Sequence, residues 1–294
     1  MKSIYFAPTP WATSEMVLED YRYQTPANAG TWDDIIAVKN PNEAEYIVIQ
    51  DEIADISLLN RFSPKKRLYF NREALATHLR NQYPLEQFNR FSFWDGTGYL
   101  PVRWAYKTNA SASAQGYSGI DKSYDELNSI EYNQKTKDVC CILSNKTMNE
   151  GHIIRKTFTK KFISKHIIDL YGTVEFKNCK LENNDKFSTL SKYKYCLGFD
   201  NQDFIKDFFG TQFTDAVLAW SVPIFWCGTD LRRYFPEGSF IQFNARENTE
   251  IDRIIDTLKN DDYNSRIAPL REARNLILNK YNFWPTIKIL IDRE

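Results

Sequence analysis

The segment Val222-Pro223-Ile224-Phe225-Trp226 is apolar at every position. A strand with one wet face alternates apolar and polar residues, so an unbroken apolar run belongs in a sheet covered on both faces. Such sheets are parallel, and parallel strands need crossover connections, usually helices. The chain supplies them. Phe213, Ala216, Val217 and Trp220 fall at i, i+3, i+4 and i+7, which predicts a helix over 211–221. Upstream, strands are expected at 139–143, at 167–171 ending at Gly172, and at 194–199, with a helix over 153–165. Downstream, Asn248 or Thr249 is placed to cap a helix with Ile251, Ile254, Ile255 and Leu258 on one face. A charged helix over 270–280 and a tail containing Trp284 follow.

The first half repeats this grammar with strands at 3–7, 45–50 and 67–70 and a helix over 73–82. Residues 108–134 break it. Asn109-Ala110-Ser111-Ala112-Ser113-Ala114-Gln115-Gly116 is small and polar, and no apolar periodicity returns before Val139, so this stretch reads as a mobile loop and link. The expected fold class is α/β with two Rossmann-like domains facing each other across a cleft. Residues 1–135 form the first and 136–294 the second, with the last helix a candidate to pack back on the first. Ligands of such sheets bind at the C-terminal strand ends.

Thirty-eight Lys and Arg balance 38 Asp and Glu. That argues against a protein that coats nucleic acid, whose affinity comes from many phosphate contacts. The aromatic content, 20 Phe, 17 Tyr and 7 Trp, suits a binder of a polar organic ligand. Five cysteines with no Cys-x-x-Cys spacing, and only three histidines, give neither a disulfide framework nor a structural zinc site. His152 and His166 earn no role. The first apolar run is too short for a signal peptide, and no stretch nears the ~20 apolar residues of a membrane span. The expectation is a cytoplasmic protein with no integral membrane segment.

One ordered set of motifs is more specific. Phe199-Asp200-Asn201 is followed by Gly210-Thr211-Gln212, Asp215-Ala216, Val222-Pro223-Ile224-Phe225-Trp226 and Phe235-Pro236-Glu237-Gly238-Ser239-Phe240-Ile241. Upstream lie Ser144-Asn145, Arg155 and Asp169-Leu170-Tyr171-Gly172. Over about 139–260 this series resembles the C-terminal signature of the α-1,3-fucosyltransferases, glycosyltransferase family 10. The resemblance implies a GT-B fold with the nucleotide sugar on the C-terminal domain. It also implies inverting, metal-independent transfer, with a carboxylate of the N-terminal domain deprotonating the acceptor hydroxyl. No cofactor is expected; the nucleotide sugar is a co-substrate. Two departures stand out. Where the family has Thr-Glu-Lys this chain has Gly210-Thr211-Gln212, and its Phe-Glu-Asn is shortened to Phe199-Asp200-Asn201. Loss of the Glu-Lys charges leaves the donor open between GDP-fucose and a UDP-sugar.

Expelling a diphosphate without a metal requires preorganised cations and N–H groups. The helix opening at Thr211 offers free N–H groups, with hydrogen bonds from Thr211 and Gln212. Ser144, Asn145, Asp200 and Asn201 complete the donor set that the resemblance implies. Arg155 is the first candidate for the missing cation, ahead of Lys146, Arg232 and Arg233; the bland alternative for Arg155 is a solvated helix face beside Lys156, Lys160 and Lys161. For the base, Asp95 sits in the aromatic, glycine-flanked loop 91–101, where partial desolvation raises a carboxylate's pKa. An Asp-Gly pair is also an ordinary turn. Glu15 is the second candidate and Glu73 the third. Trp11, Trp94 and Trp104 are candidates for an acceptor platform, whereas Trp220 and Trp226 read as core and Asp215 as structural. The expected acceptor is a glycan. Two alternatives stay open: a phage-type enzyme that glycosylates a hydroxymethylated DNA base from a UDP-sugar, using Lys156, Lys160, Lys161 and Lys165 as a basic footprint, and a degenerate sugar- or nucleotide-binding protein.

Overall fold

The computed structural model describes residues 1–50, 52–70, 89–91, 120, 122–176, 185–204 and 208–293. The chain divides into two compact units. The first comprises 1–118, 122–130 and 278–294; the second comprises 119–121 and 131–277.

The first unit holds strands β1 (Lys2–Phe6), β2 (Thr31–Trp32), β3 (Ile35–Ala37), β4 (Tyr46–Gln50), β5 (Arg67–Phe70) and β6 (Asn89–Phe91), in the order β2-β3-β1-β4-β5-β6. All pairs are parallel except β2–β3. Alternate residues leave opposite faces. Ile4, Phe6, Tyr46, Val48, Leu68 and Phe70 pack against helix α1 (Ser14–Arg22) and a helix from the other end of the chain, Phe283–Asp292. Tyr5, Ala7, Ile47, Ile49 and Tyr69 face Leu59 and Phe62. The Trp284 indole N–H donates to the Tyr21 carbonyl at 2.9 Å, and Asn282 Nδ2 donates to the Gln24 carbonyl at 2.8 Å.

The described part of the expected mobile loop is not all irregular. Helix α2 (Tyr124–Ser129) forms on a capping box in which the Ser123 hydroxyl accepts from the Glu126 N–H and the Glu126 carboxylate accepts from the Ser123 N–H. Buried Leu127 anchors it. The absence of a long apolar period had hidden a helix of under two turns.

The second unit carries five parallel strands, β7 (Lys137–Leu143), β8 (Asp169–Gly172), β9 (Tyr193–Phe199), β10 (Val222–Trp226) and β11 (Ile241–Gln242), in the order β11-β10-β9-β7-β8. Its helices are α3 (Glu150–Lys165), α4 (Lys186–Leu190), α5 (Thr211–Leu218), α6 (Thr249–Asn260) and most of α7 (Ile267–Asn279); Phe283–Asp292 in the first unit is α8. From β7 the chain crosses to β8 on one side, then returns to β9 on the other. The crevice between the ends of β7 and β9 is therefore the topological switch point, where open α/β sheets bind ligands.

Three local expectations shift. Helix α5 stops at Leu218, because the carbonyls of Leu218, Ala219 and Trp220 are taken by Arg274, Lys135 and the Tyr263 hydroxyl. Trp220 then turns with a left-handed φ of 59°. Asn248 does not cap α6: its backbone is already helical, and its side-chain oxygen accepts from Lys161 at 2.8 Å. Strand β8 begins at Asp169, leaving Ile167 exposed. Trp220 and Trp226 are buried, and Asp215 is fully buried in an ion pair with Lys186. Among the described residues, no helix is long and apolar enough to cross a membrane.

Candidate functional site

Helix α3 places its buried face, Gly151, His152, Arg155, Phe158, Thr159 and Phe162, against the sheet. Arg155 is thus on the inner face, 4% exposed, and the solvated-face reading does not hold. Its Nη1 donates to Asn201 Oδ1 at 2.9 Å and its Nη2 to Ser144 Oγ at 2.7 Å. Ser144 follows β7 and Asn201 follows β9, so Arg155 bridges the switch point. Both partners are neutral. Its Nε has no partner, and among the described residues no carboxylate pairs with it. Burial draws its pKa down to about 10, which still leaves it charged at neutral pH. A buried cation without a counterion is unfavourable by several kcal/mol in proteins generally. The arrangement is suited to an incoming anion.

Other residues expected here lie at the same edge in different roles. Asn145 is held on both sides, donating to Glu175 at 2.8 Å and accepting from Lys156 at 2.7 Å. Gln212 accepts from the Phe199 N–H at 3.0 Å and donates to the Ile142 carbonyl at 3.4 Å, joining the ends of β7 and β9. It is therefore engaged with the sheet, not offered to a phosphate. Asp200 is buried and accepts from the Gly210 N–H at 2.8 Å; burial pushes its pKa well above the carboxylate range, only partly opposed by that bond. Thr211 is half-buried at the first position of α5, whose Gly210 cap provides no side-chain acceptor.

Local sequence reasoning missed four contributors. Gly151 lets α3 approach the β9 loop so closely that a Cβ there would collide with the Asn201 carbonyl. Buried His152 has an unpartnered Nδ1; burial and then the Arg155 and Lys146 charges lower its pKa to about 4, so it is neutral at physiological pH. Arg246 donates to both Glu150 oxygens at 2.8 and 3.2 Å and to both Asp203 oxygens at 2.6 and 3.0 Å, tying α3 to that loop. Gln202 is buried with both amide atoms unpartnered. Only the Asn-Glu-Gly cap sequence 149–151 hinted at any of this.

In the first unit, Trp11 lies at the tip of a tight turn closed by Thr9 and Ala12 and is 54% exposed. Glu15 stands in the first turn of α1, exposed and paired with Lys39 at 2.7 Å, whose hydrogen bond and charge hold its pKa below the usual value. A base working near neutral pH needs the opposite shift. Asp95, Trp94, Trp104 and Glu73, with the expected helix 73–82 and the small polar run 109–116, lie outside the described residues. Of the other cations, Arg232 pairs with Asp230 and Lys146 is exposed. Lys161 and Lys165 of the proposed basic footprint reach Asn248 and Asp252, and Lys156 reaches Asn145. Among the described residues, no group of three or more His, Cys, Asp or Glu is placed to hold a metal ion.

Residues 132–266 match the sequence model of glycosyltransferase family 10 (fucosyltransferase), C-terminal part. The matched residues contain the whole Ser144–Arg155–Asn201 cluster. Among solved structures, an α1,3-fucosyltransferase with GDP is 17% identical, covers 99% of this chain and 91% of its own, and has a TM-score of 0.55. A DNA-modifying β-glucosyltransferase, studied with and without uridine diphosphoglucose, is 14% identical, covers 99% and 100%, and has a TM-score of 0.52. These likenesses give the fold, GT-B, and with the match over 132–266 they indicate a glycosyltransferase. Among curated proteins, none matches the sequence.

Proposed function

We propose that the second unit binds a nucleoside diphosphate sugar with its diphosphate on Arg155, and that the enzyme transfers the sugar to a glycan hydroxyl with inversion and without a metal. The observation that carries this is the buried Arg155 guanidinium, held by the neutral Ser144 and Asn201 at the switch point. A diphosphate supplies the missing counter-charge, and the charge that grows on it as the sugar leaves is stabilised by a group already in place. The opening N–H groups of α5 at Thr211, in the same domain, add a dipole of the right sign. The sugar nucleotide is GDP-fucose-like or a UDP-sugar. An α1,3-fucosyltransferase of similar fold was solved with GDP-fucose, and the DNA-modifying β-glucosyltransferase with uridine diphosphoglucose. Asp95 is the proposed base, with Glu15 second, and Trp11, Trp94 and Trp104 the acceptor platform. The buried thiols of Cys140, Cys141, Cys196 and Cys227 suit a reducing compartment, and we assign the protein to the cytoplasm.

The DNA reading has less support, because three of its four footprint lysines already have polar partners. A panel of GDP-, UDP-, CMP- and dTDP-sugars tests the proposal by thermal shift and donor hydrolysis. One nucleotide should stabilise the protein, and slow hydrolysis of its sugar should disappear in Asp95→Ala. Binding without hydrolysis or transfer would establish the degenerate alternative, and steeply salt-dependent duplex binding the DNA one.

A further inference from the structure

The loop after β9 is packed inside out. Gln202 is buried with neither amide atom paired, while Phe204, two residues on, is 64% exposed. A free loop would reverse this, hiding the ring and wetting the amide. This loop is not free. Asn201 is fastened to Arg155, and Asp203 is fastened through Arg246 to Glu150, the first residue of α3. Phe204 therefore stands beside a pinned residue and is displayed. The approach of α3 at Gly151 sets the same loop from the other side. Ile153, one helical turn beyond Glu150 on α3, is also exposed and apolar, as is Met148 just before the helix.

We propose that Phe204 is the stacking face for the nucleobase of the donor, with Ile153 and Met148 as the apolar rim beside it and Arg246 as the positioning residue. The proposal rests on the diphosphate reading of Arg155. A nucleoside diphosphate is charged at one end and flat and aromatic at the other, so a seat for it needs a cation and a π-face a nucleoside's length apart. Phe204 is three residues on from Asn201, at the cation, and such a span covers at most about 11 Å. The two ends of the ligand thus match the two ends of one short, fastened loop. Stacking is tolerant of base identity because each base has a π-face. Phe204 accordingly serves the base as a class, without reading its edge.

The test measures binding of inorganic pyrophosphate, GDP and UDP to the full chain by calorimetry, for the wild type, Phe204→Ala, Phe204→Tyr, Arg246→Gln and Arg155→Met. Phe204→Ala should weaken the better nucleoside diphosphate about 5- to 100-fold and leave pyrophosphate unchanged, while Phe204→Tyr restores nucleotide binding. Arg246→Gln should weaken the nucleotide more than pyrophosphate. Unchanged nucleotide affinity in Phe204→Ala, or an equal loss for pyrophosphate, overturns the stacking role. If Arg155→Met leaves pyrophosphate and nucleotide binding intact while Phe204→Ala does not, the diphosphate seat is wrong and the stacking face stands. A wild type that binds none of the three ligands overturns both.

Discussion

Replacing Arg155 with methionine separates a binding cation from a structural one. In the unliganded protein the change removes two hydrogen bonds from a charged donor, to Ser144 and Asn201. Such bonds contribute about 1.5–3 kcal/mol each, so about 3–6 kcal/mol of contact is lost. The same change removes a buried cation whose counter-charge is missing, and burying an unpaired ion costs several kcal/mol. The two effects oppose each other. The unliganded stability should therefore move by no more than about 2 kcal/mol, read from urea unfolding followed by fluorescence. Ligand binding has no such cancellation. Loss of charge-assisted contacts to a diphosphate should weaken nucleotide binding by about 2–4 kcal/mol, or roughly 30- to 1000-fold. In the wild type, ligand at a hundredfold excess over Kd should stabilise the fold by about 2.7 kcal/mol, and in the variant at the same concentration that gain should largely vanish. Arg155→Lys keeps the charge without the planar fork and should fall between the two. If Arg155→Met instead destabilised the unliganded protein by more than about 4 kcal/mol while nucleotide affinity held, Arg155 would be an ordinary structural residue and the reasoning would fail.

Other outcomes follow from the same geometry. Asp200 has a folded-state pKa raised by burial, so its contribution to stability is lost as pH rises above the unfolded value near 4. Asp200→Asn should thus match the wild type near pH 4 and be the more stable protein at pH 8, measured by paired urea midpoints. Gly151→Ala should cost about 1–3 kcal/mol, because its methyl group collides with the Asn201 carbonyl, and donor binding should weaken with it in the same thermal-shift assay. Trp284→Ala should remove about 3–5 kcal/mol from the first unit, where the indole is fully buried and bonded to the Tyr21 carbonyl; hydrogen exchange of the β1 and β4 amides reports it.

The sheet was legible from sequence wherever burial left a continuous or alternating apolar run, and Val222–Trp226 matches β10 residue for residue. Helix ends were less so. The end of α5 is decided by Lys135 and Arg274, 84 and 56 residues from the carbonyls they meet, and no local pattern carries that information. The helix at 124–129 was marked by Ser123-Tyr124-Asp125-Glu126, a capping-box pattern outweighed by the polar stretch around it. Arg155 shows both sides. Its neighbours in sequence are lysines, which suggests solvent, yet its spacing from Gly151, Phe158 and Phe162 puts it on the inner face of α3. The fastening by Arg246 joins three segments distant in sequence and became visible only when they were folded together.

The place of α8 bears on how the protein is made. The core under Ile4, Phe6, Val48 and Leu68 is completed by Phe283, Trp284 and Ile287. A ribosome delivers β1 to β5 long before those residues, so for most of synthesis one face of the first sheet is uncovered. The second unit, nearly continuous from 131 to 277, is complete in the chain before the first is. The usual N-to-C order of domain completion is thereby reversed. A chain truncated after residue 277 should hold a second unit with all its residues and, in the first unit, an open apolar sheet, the species a chaperone would have to shield.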